Sequence, residues 1–532
     1  MEQKSYKVGD MRYGHKVLPK SERKKILLLS DDLRQLSGIA SMSREIVLGT
    51  CHQISVLQLG SAIKHPEQGQ IFDLSQSVSD ETGVEDPEVK VIPFDGYGNP
   101  EILRELLIRE QPDAILHFTD PRFWGWLYNM EAEVRQICPI IYYNIWDNAG
   151  KINDKHLDPE WNTAAYKSSD MLLAISKQTY GINKRLLPEY EDWQIKYVPH
   201  GINTKHFYPI REGHDEWNAL QDFRAKLLGD LNDTTDFIIV ENNRNIRRKN
   251  YSDTILAYKD FCDTLPKEKS EKCLLILHTQ PIDQNGTDLL AVVKAVCPEY
   301  NVMFSTNPGT TKDLCYFYNI ADVAMNLASN EGFGLTTAEA LMCGTPILVN
   351  VTGGLQDQCG FNVNGKLLTA DDYIELNTLH DAEDCFNKFE NLNNGVWAFP
   401  VWPTSRSLKG SVPTPYIYDD TVDYREARMQ LEQVYQLSKK ERDLIGMEGY
   451  DYMCNKSSSL NHKDMCTLFM DSFTDLFANW KPKKKWKLVP AKTTRSTRLT
   501  KIKFGNIAIN KTLQPQQQEL KLPKLKKIDG GV

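Results

Sequence analysis

Short runs of Val, Ile and Leu alternate with helical stretches along most of this chain, and the pattern occurs twice. "KILLL" at residues 25–29 is the first run, followed by the helical "SGIASMSREIV". "ISVLQLG", "DAILHF", "PIIYYNI" and "MLLAIS" follow as strands, spaced by helical segments such as "EILRELLIRE" and "KQTYGINKRLL". Unbroken apolar strands separated by helices belong to a parallel sheet covered on both faces. After a polar stretch with only helical segments, the pattern restarts with "FIIVENN", "CLLILHT", "NVMFS", "DVAMNLA" and "PILVNV". The expected architecture is therefore α/β, two Rossmann-like doubly wound domains. Such a pair places its ligand between the domains, at the carboxyl ends of the strands.

The boundaries follow from where the rhythm starts and stops. A polar N-terminal arm covers residues 1–23, with none of the apolar core of a secretion signal. The first domain spans 24–205 and the second 206–458. Residues 360–420 interrupt the second domain with Pro, Trp and Asn, so an irregular insertion is expected there. Residues 459–480 form a helix expected to cross back to the first domain. Residues 481–532 have no sustained periodicity and are expected to be a disordered, basic tail.

Charge sharpens that last division. Fifteen Lys and Arg stand against Glu519 and Asp529 in the tail, so it carries +13; the chain total of −8 leaves −21 on the body. A basic tail on an acidic body points to a polyanionic partner, either nucleic acid or an anionic membrane surface, although charge runs are often only solvated. No apolar run is long enough to span a bilayer. None of the eleven cysteines forms a CxxC pair, which points to reduced thiols in a cytoplasmic protein and away from a disulfide framework or metal cluster.

The stretch "SNEGFGLTTAEALMCGTP", residues 329–346, carries the chemistry. It follows the strand "DVAMNLA" and opens a helix near Leu335. Gly332 and Gly334 let the backbone turn without a Cβ in the way of a ligand. The free N–H groups of the helix start suit an anion. Glu331 on the loop and Glu339 on the helix suit hydroxyl groups instead. Phosphate gripped by backbone and polyols gripped by carboxylates describe a nucleotide sugar. As an isolated pair, the two glutamates read more readily as solvated residues; the Gly-Phe-Gly context and the strand-loop-helix placement bring the two readings level. Arg244, Arg247, Arg248 and Lys249 follow the first strand of the second domain, where cations can neutralise a diphosphate.

At this point "EGFGLTTAE" resembles the signature of retaining GT-B glycosyltransferases of family 4. "NRNIRRK" is similar to that family's Arg…Lys segment: Arg244 and Lys249 keep the five-residue offset, while Asn243 and Asn250 stand where Gly is usual. "SGIASMSREIV" resembles the glycine loop of the first domain, with Gly38 at its key position, and "VPHGINTKHF" resembles a Pro-Asn-Gly segment with His200 replacing Asn. "GTPILVNVTGGLQD" resembles the strand and Gly-Gly turn after the second Glu, and the set is most like phage-encoded members. The resemblance implies a sugar transfer with retention and no metal or other cofactor. Glu331, Arg244 and Lys249 would be catalytic. Gly38, Gly332, Phe333, Gly334, Leu335 and Glu339 would bind a donor, expected as a uridine diphosphate sugar. The family often has His-Asp where this chain has Trp146 and Asp147; these two and His200 are candidate sugar or acceptor contacts.

The phage-like resemblance and the tail make a hydroxymethylated pyrimidine in DNA the expected acceptor. A surface glycan, lipid or protein is the alternative. Two readings of other kinds compete: a non-catalytic protein binding a nucleotide sugar or nucleic acid, and a sugar-phosphate isomerase or epimerase. Release of a nucleoside diphosphate separates the transferase from mere binding.

Overall fold

The computed structural model describes residues 5–152, 155–376, 379 and 391–483. Its first sheet has eight strands: β1 (Lys24–Asp31), β2 (Ile54–Ser61), β3 (Phe72–Asp73), β4 (Val89–Pro93), β5 (Ala114–Phe118), β6 (Ile140–Asn144), β7 (Met171–Ala174) and β8 (Ile195–Tyr197). They lie in the order β8-β7-β6-β5-β1-β2-β4-β3 and are parallel except β3, which runs against β4. Ile26, Leu27, Leu28 and Leu29 are at most 2% exposed. That burial on both faces is why β1 reads as a continuous apolar run rather than an alternating one.

The second sheet has six parallel strands: β9 (Phe237–Asn242), β10 (Cys273–His278), β11 (Val302–Ser305), β12 (Val323–Asn326), β13 (Ile347–Asn350) and β14 (Ala398–Val401), in the order β11-β10-β9-β12-β13-β14. In each sheet the first strand, β1 or β9, lies between neighbours whose connections leave in opposite directions. The carboxyl ends of these two strands are therefore the switch points where α/β sheets bind ligands.

The insertion corrects the sequence reading. Residues 360–420 are expected to be irregular, yet the described part contributes β14 and a hairpin of β15 (Ser405–Ser411) and β16 (Thr414–Thr421). Pro400 sits within β14, and Pro is tolerated there because the strand is at the sheet edge. The hairpin reaches the first domain. Asn148 donates to the Asn330 side chain at 2.7 Å and accepts from the Tyr418 backbone at 3.1 Å. Arg406 donates to the Ala149 carbonyl at 3.0 Å. A Cβ on Gly150 would lie 2.0 Å from the Tyr418 ring, so only glycine admits that ring.

Helices α1 (Gly38–Thr50), α2 (Lys177–Leu186), α3 (Thr311–Asn319), α4 (Leu335–Met342), α5 (Lys439–Cys454) and α6 (His462–Asn479) matter most for the site. The chain passes between domains near Gly201 and returns near Asn461. The two passes touch: Ile202 N–H donates to the Leu460 carbonyl at 2.9 Å, and His462 N–H donates to the Ile202 carbonyl at 3.0 Å. α6 then packs on α1, where a Cβ on Gly49 would lie 1.9 Å from the Cys466 sulfur. The N-terminal arm joins this junction, with Arg12 buried and bonded to the Gly49 carbonyl at 2.9 Å. No helix among the described residues is long and apolar enough to cross a membrane.

α5 braces α4 from behind. A Cβ on Gly446 would lie 2.0 Å from the Gly344 carbonyl oxygen just past the end of α4. Gly446→Val is expected to cost about 2–3 kcal/mol, the upper range for overpacking, read as a lower urea midpoint with an unchanged slope.

Candidate functional site

The loop after β12 and the loop after β9 meet at one buried ion cluster. Lys249 Nζ donates to Glu331 Oε2, and Arg248 Nη1 approaches the same oxygen at 3.2 Å. Arg248 also donates to the Asn330 carbonyl. Lys249 is 6% exposed and Glu331 9%. Burial alone would raise the Glu331 carboxyl; the Lys249 and Arg248 charges outweigh it and hold the pKa below the usual carboxylate range. Asp147, from the loop after β6, faces this cluster from the first domain. Burial raises its carboxyl, opposed first by Arg248, while Glu331 adds to the rise.

Backbone geometry makes the cluster possible. Asn250 has φ +53° and donates from its side chain to the Leu327 carbonyl at 2.9 Å. Asn tolerates this left-handed conformation better than most residues, which accounts for Asn at a position where the resembling family has Gly. Gly334 has φ +86° and precedes α4 with no side chain to cap it. The first-turn N–H groups of α4 are thus left to bind an anion. The Gly-Gly turn supports the loop from below: Gly354 N–H donates to the Glu331 carbonyl at 2.9 Å, and a Cβ on Gly353 would lie 1.8 Å from that oxygen. Gln358 donates to the Phe333 and Gly334 carbonyls at 2.7 and 2.9 Å.

The first domain meets α4 head on. Ser37 caps α1, accepting from Ala40 N–H at 3.1 Å, and a Cβ on Gly38 would lie 3.1 Å from Leu335 Cδ1. Gly38 and Leu335, expected to bind one ligand from two domains, are therefore neighbours. Gly332 lies against Ile175 and the Ile145 carbonyl of the first domain.

Other expected residues lie elsewhere. Arg244 is not in the cluster: its guanidinium is 66% exposed and pairs with Asp283 at 2.9 Å. Arg248 holds the place beside Lys249. Trp146 is a wall residue, 8% exposed, donating to the Asn148 carbonyl at 2.6 Å and packing on Trp161. His200 is 5% exposed, with Nδ1 2.8 Å from the Tyr143 hydroxyl and its ring edge-on to Phe333 at 5.2 Å. Burial pushes its pKa down to about 3, so it is neutral and supports the Phe333 turn. Glu339 accepts from the Tyr318 hydroxyl at 2.8 Å, which itself accepts from Asn242 at 2.8 Å. Burial raises Glu339 to about 7, opposed by the Tyr318 bond.

Sequence reasoning passed over Asn148 and Asn330, and named Arg248 only among the cations of the basic run. Arg248 stood in the same basic run, but the five-residue offset favoured Arg244. The two asparagines meet across 182 residues and leave no local signal. Among the described residues no group of three or more His, Cys, Asp or Glu is arranged to hold a metal ion.

Two doubly wound domains facing a cleft, with the second Glu on a helix that opens into it, constitute the GT-B fold. Residues 229–379 match the family described as Glycosyl transferases group 1. The chain is 29% identical over 202 residues to the alpha-monoglucosyldiacylglycerol synthase of Acholeplasma laidlawii, 38% of this chain and 44% of that protein. It is 40% identical over 65 residues to a D-inositol 3-phosphate glycosyltransferase of Xylanimonas cellulosilytica, 12% and 16% of the two chains. The chain thus spans less than half the length of these curated relatives. The fold is shared over 86% of this chain and 100% of the sucrose-phosphate synthase of Thermosynechococcus elongatus (TM-score 0.57, 15% identity). It is shared over 85% and 100% with HepE of Anabaena in complex with UDP and glucose (TM-score 0.54, 13% identity).

A second buried carboxyl lies close by. Glu241, near the end of β9, is 1% exposed, and its Oε2 has no hydrogen-bond partner. Burial pushes it up to about 8, opposed by Thr254 and Asn243. The folded state therefore keeps a proton that an unfolded Glu, with its usual value of 4.5, gives up. Stability is lost as pH rises from about 4.5 to about 8. Glu241→Gln removes that dependence. Its unfolding temperature is expected to gain on the wild type as pH goes from 5 to 8.5, and a constant difference would show that Glu241 does not titrate this way.

Proposed function

We propose that this chain transfers a sugar from a nucleoside diphosphate sugar to an acceptor hydroxyl, with retention of anomeric configuration. The observation that carries this is the meeting of Glu331, Lys249 and Arg248 beside the uncapped start of α4, within the segment that matches group 1 glycosyltransferases. Uridine diphosphate is proposed as the carrier, in line with the UDP held by the Anabaena protein of like fold.

Each residue then has a task. The bond from the anomeric carbon to the leaving diphosphate breaks, and the acceptor oxygen bonds to that carbon on the same face. A phosphate oxygen takes the acceptor proton. Lys249 and Arg248 stabilise the charge that builds on the diphosphate, helped by the α4 N–H groups. Arg244 can join them at little cost, because its ion pair with Asp283 is exposed and screened by solvent. Glu331 accepts from the donor sugar's hydroxyls once the cations turn to the diphosphate, and Glu339 accepts from the ribose. Gly38 and Gly332 to Leu335 bring backbone close to the donor from both domains. Asp147 faces the sugar from the first domain, while Trp146 and His200 shape the wall behind it. Domain closure excludes water and so limits hydrolysis of the donor. The reaction as proposed needs no metal or other cofactor and takes place in the cytoplasm.

Two acceptor readings have support. Hydroxymethylated pyrimidine in DNA rests on the phage-like sequence resemblance and on the +13 charge of residues 481–532, which lie outside the described residues from Lys484 onward. A lipid or glycan hydroxyl is favoured by the match to a glucosyldiacylglycerol synthase, and the same tail would then meet an anionic membrane. Radiolabelled donor offered to hydroxymethylated DNA and to glycolipid vesicles separates them.

Glu331→Ala and Lys249→Ala are each expected to lower transfer by about a hundredfold or more while the protein stays folded. Wild-type turnover in either variant sinks the assignment of catalytic roles. UDP at a hundred times its dissociation constant is expected to add about 2.7 kcal/mol of stability, seen as a raised melting temperature. If no nucleoside diphosphate raises it, the donor reading fails.

A further inference from the structure

The switch crevice of the first sheet opens between the ends of β1 and β5. The loop after β1 carries Gly38 toward the donor side. The loop after β5 carries Phe123, and the loop after β4 carries Tyr97, so both rings stand at carboxyl ends of strands. The rings stack on each other, with centroids 4.7 Å apart and planes within 7° of parallel. Phe123 is nevertheless 54% exposed. With one face given to Tyr97, its exposure leaves the other open to solvent.

The pair is rigidly mounted. Tyr97 meets the fully buried Trp124 edge-on at 5.9 Å, and its carbonyl accepts from Trp126 Nε1 at 3.2 Å. A Cβ on Gly98 would lie 3.2 Å from the Trp126 ring. A single exposed apolar side chain is ordinary on a protein surface. A stacked pair braced by two tryptophans at a switch crevice is a built platform.

Its surroundings define the ligand. The Asp31 carboxyl, bonded to the Ser37 hydroxyl at 2.9 Å, and the Asp120 carboxyl both act on the Tyr97 phenol, which burial chiefly raises. Asp147 also acts on the Arg122 guanidinium. The arginines of the flanking loops are committed: Arg122 Nε to Asp120 at 2.9 Å, and Arg34 Nε to Asp32 at 2.9 Å. Carboxylates accept from hydroxyls and repel phosphates. An aromatic face takes the C–H face of a sugar ring.

We infer that Phe123 and Tyr97 form the acceptor subsite, stacking a neutral sugar ring with the Asp31 carboxyl beside it to accept from a ring hydroxyl. The inference rests on the glycosyltransferase reading above and narrows its acceptor to a glycan or glycolipid sugar, against a nucleobase flanked by phosphates.

The test is saturation-transfer NMR on the full chain with UDP present. The probes are methyl α-glucoside, methyl α-mannoside and methyl β-galactoside, with 5-hydroxymethyl-2′-deoxycytidine in parallel. At least one glycoside is expected to bind the wild type. Its affinity should fall about two- to tenfold in Phe123→Ala, the range for one aromatic contact, and survive in Phe123→Trp. Unchanged affinity in Phe123→Ala, no glycoside binding at all, or binding of the nucleoside alone through Phe123 overturns the subsite. UDP titrated alone into the wild type reads the donor assignment independently. Glycoside failure with UDP binding intact therefore strikes the acceptor subsite and leaves the donor reading standing.

Discussion

A buried carboxylate must be met by positive charge, and Glu331 is met by two cations. Breaking a lone buried pair leaves an uncompensated charge and typically costs about 3–5 kcal/mol, whereas here the loss of one cation leaves the other beside the carboxylate. The loop after β12 is thus tied to the loop after β9, and the strands behind them must end in register for the three groups to meet. Ser329 N–H donating to the Arg248 carbonyl at 2.8 Å fixes the same two loops through backbone. The positive φ of Asn250, the uncapped start of α4 and the Gly-Gly turn are all consequences of bringing these charges together without a Cβ in the way. A donor that drew the cations toward its phosphates would free the carboxylate for hydroxyls, so one arrangement serves the unliganded fold and a sugar complex alike.

The alternation of apolar runs and helices made both sheets legible, because strands buried on two faces advertise themselves without any period. Three strands of the first sheet escaped, among them the two-residue edge strand β3. β4, Val89–Pro93, and β8, Ile195–Tyr197, are short and lie among charged residues; β8 sits at the sheet edge, where burial is incomplete. The insertion was misread for a related reason. Its Pro, Trp and Asn are loop residues by composition, but an edge strand and a hairpin docked on another domain tolerate them. Glu331 and Lys249 were readable from motif and spacing. Arg248 meets Glu331 while Arg244 turns outward to Asp283, because an offset fixes chain distance and says nothing of which way a side chain turns. Trp146 and His200 turned inward for a reason spacing cannot carry: each fills a space bounded by residues distant in sequence.

The hairpin of β15 and β16 gives the cleft a second boundary. Asn148, Asn330, Tyr418 and Asp419 form a chain of bonds across its mouth, with Asn330 donating to Asp419 at 3.1 Å. Asn148 belongs to the same loop as Asp147. The loop that faces the ion cluster is thus held from outside by an element of the other domain. The charge of Asp147 in that loop also acts on Arg122, the neighbour of Phe123 in sequence. With the donor and acceptor sides placed as proposed above, the loop of Asp147 and Asn148 lies between the hairpin and both of them.

The two passes of chain at Ile202 and Asn461 have a mechanical meaning. A single linker is a swivel and permits rotation about any axis. Two strands bonded side by side, with the backbone of one within a Cβ radius of the other at Gly201, behave as a strap with width. A strap bends readily across its width and resists twisting. Bending about that strap, like a book on its spine, is the movement it opposes least, and such bending keeps the loops of Gly38 and Gly334 in line with each other.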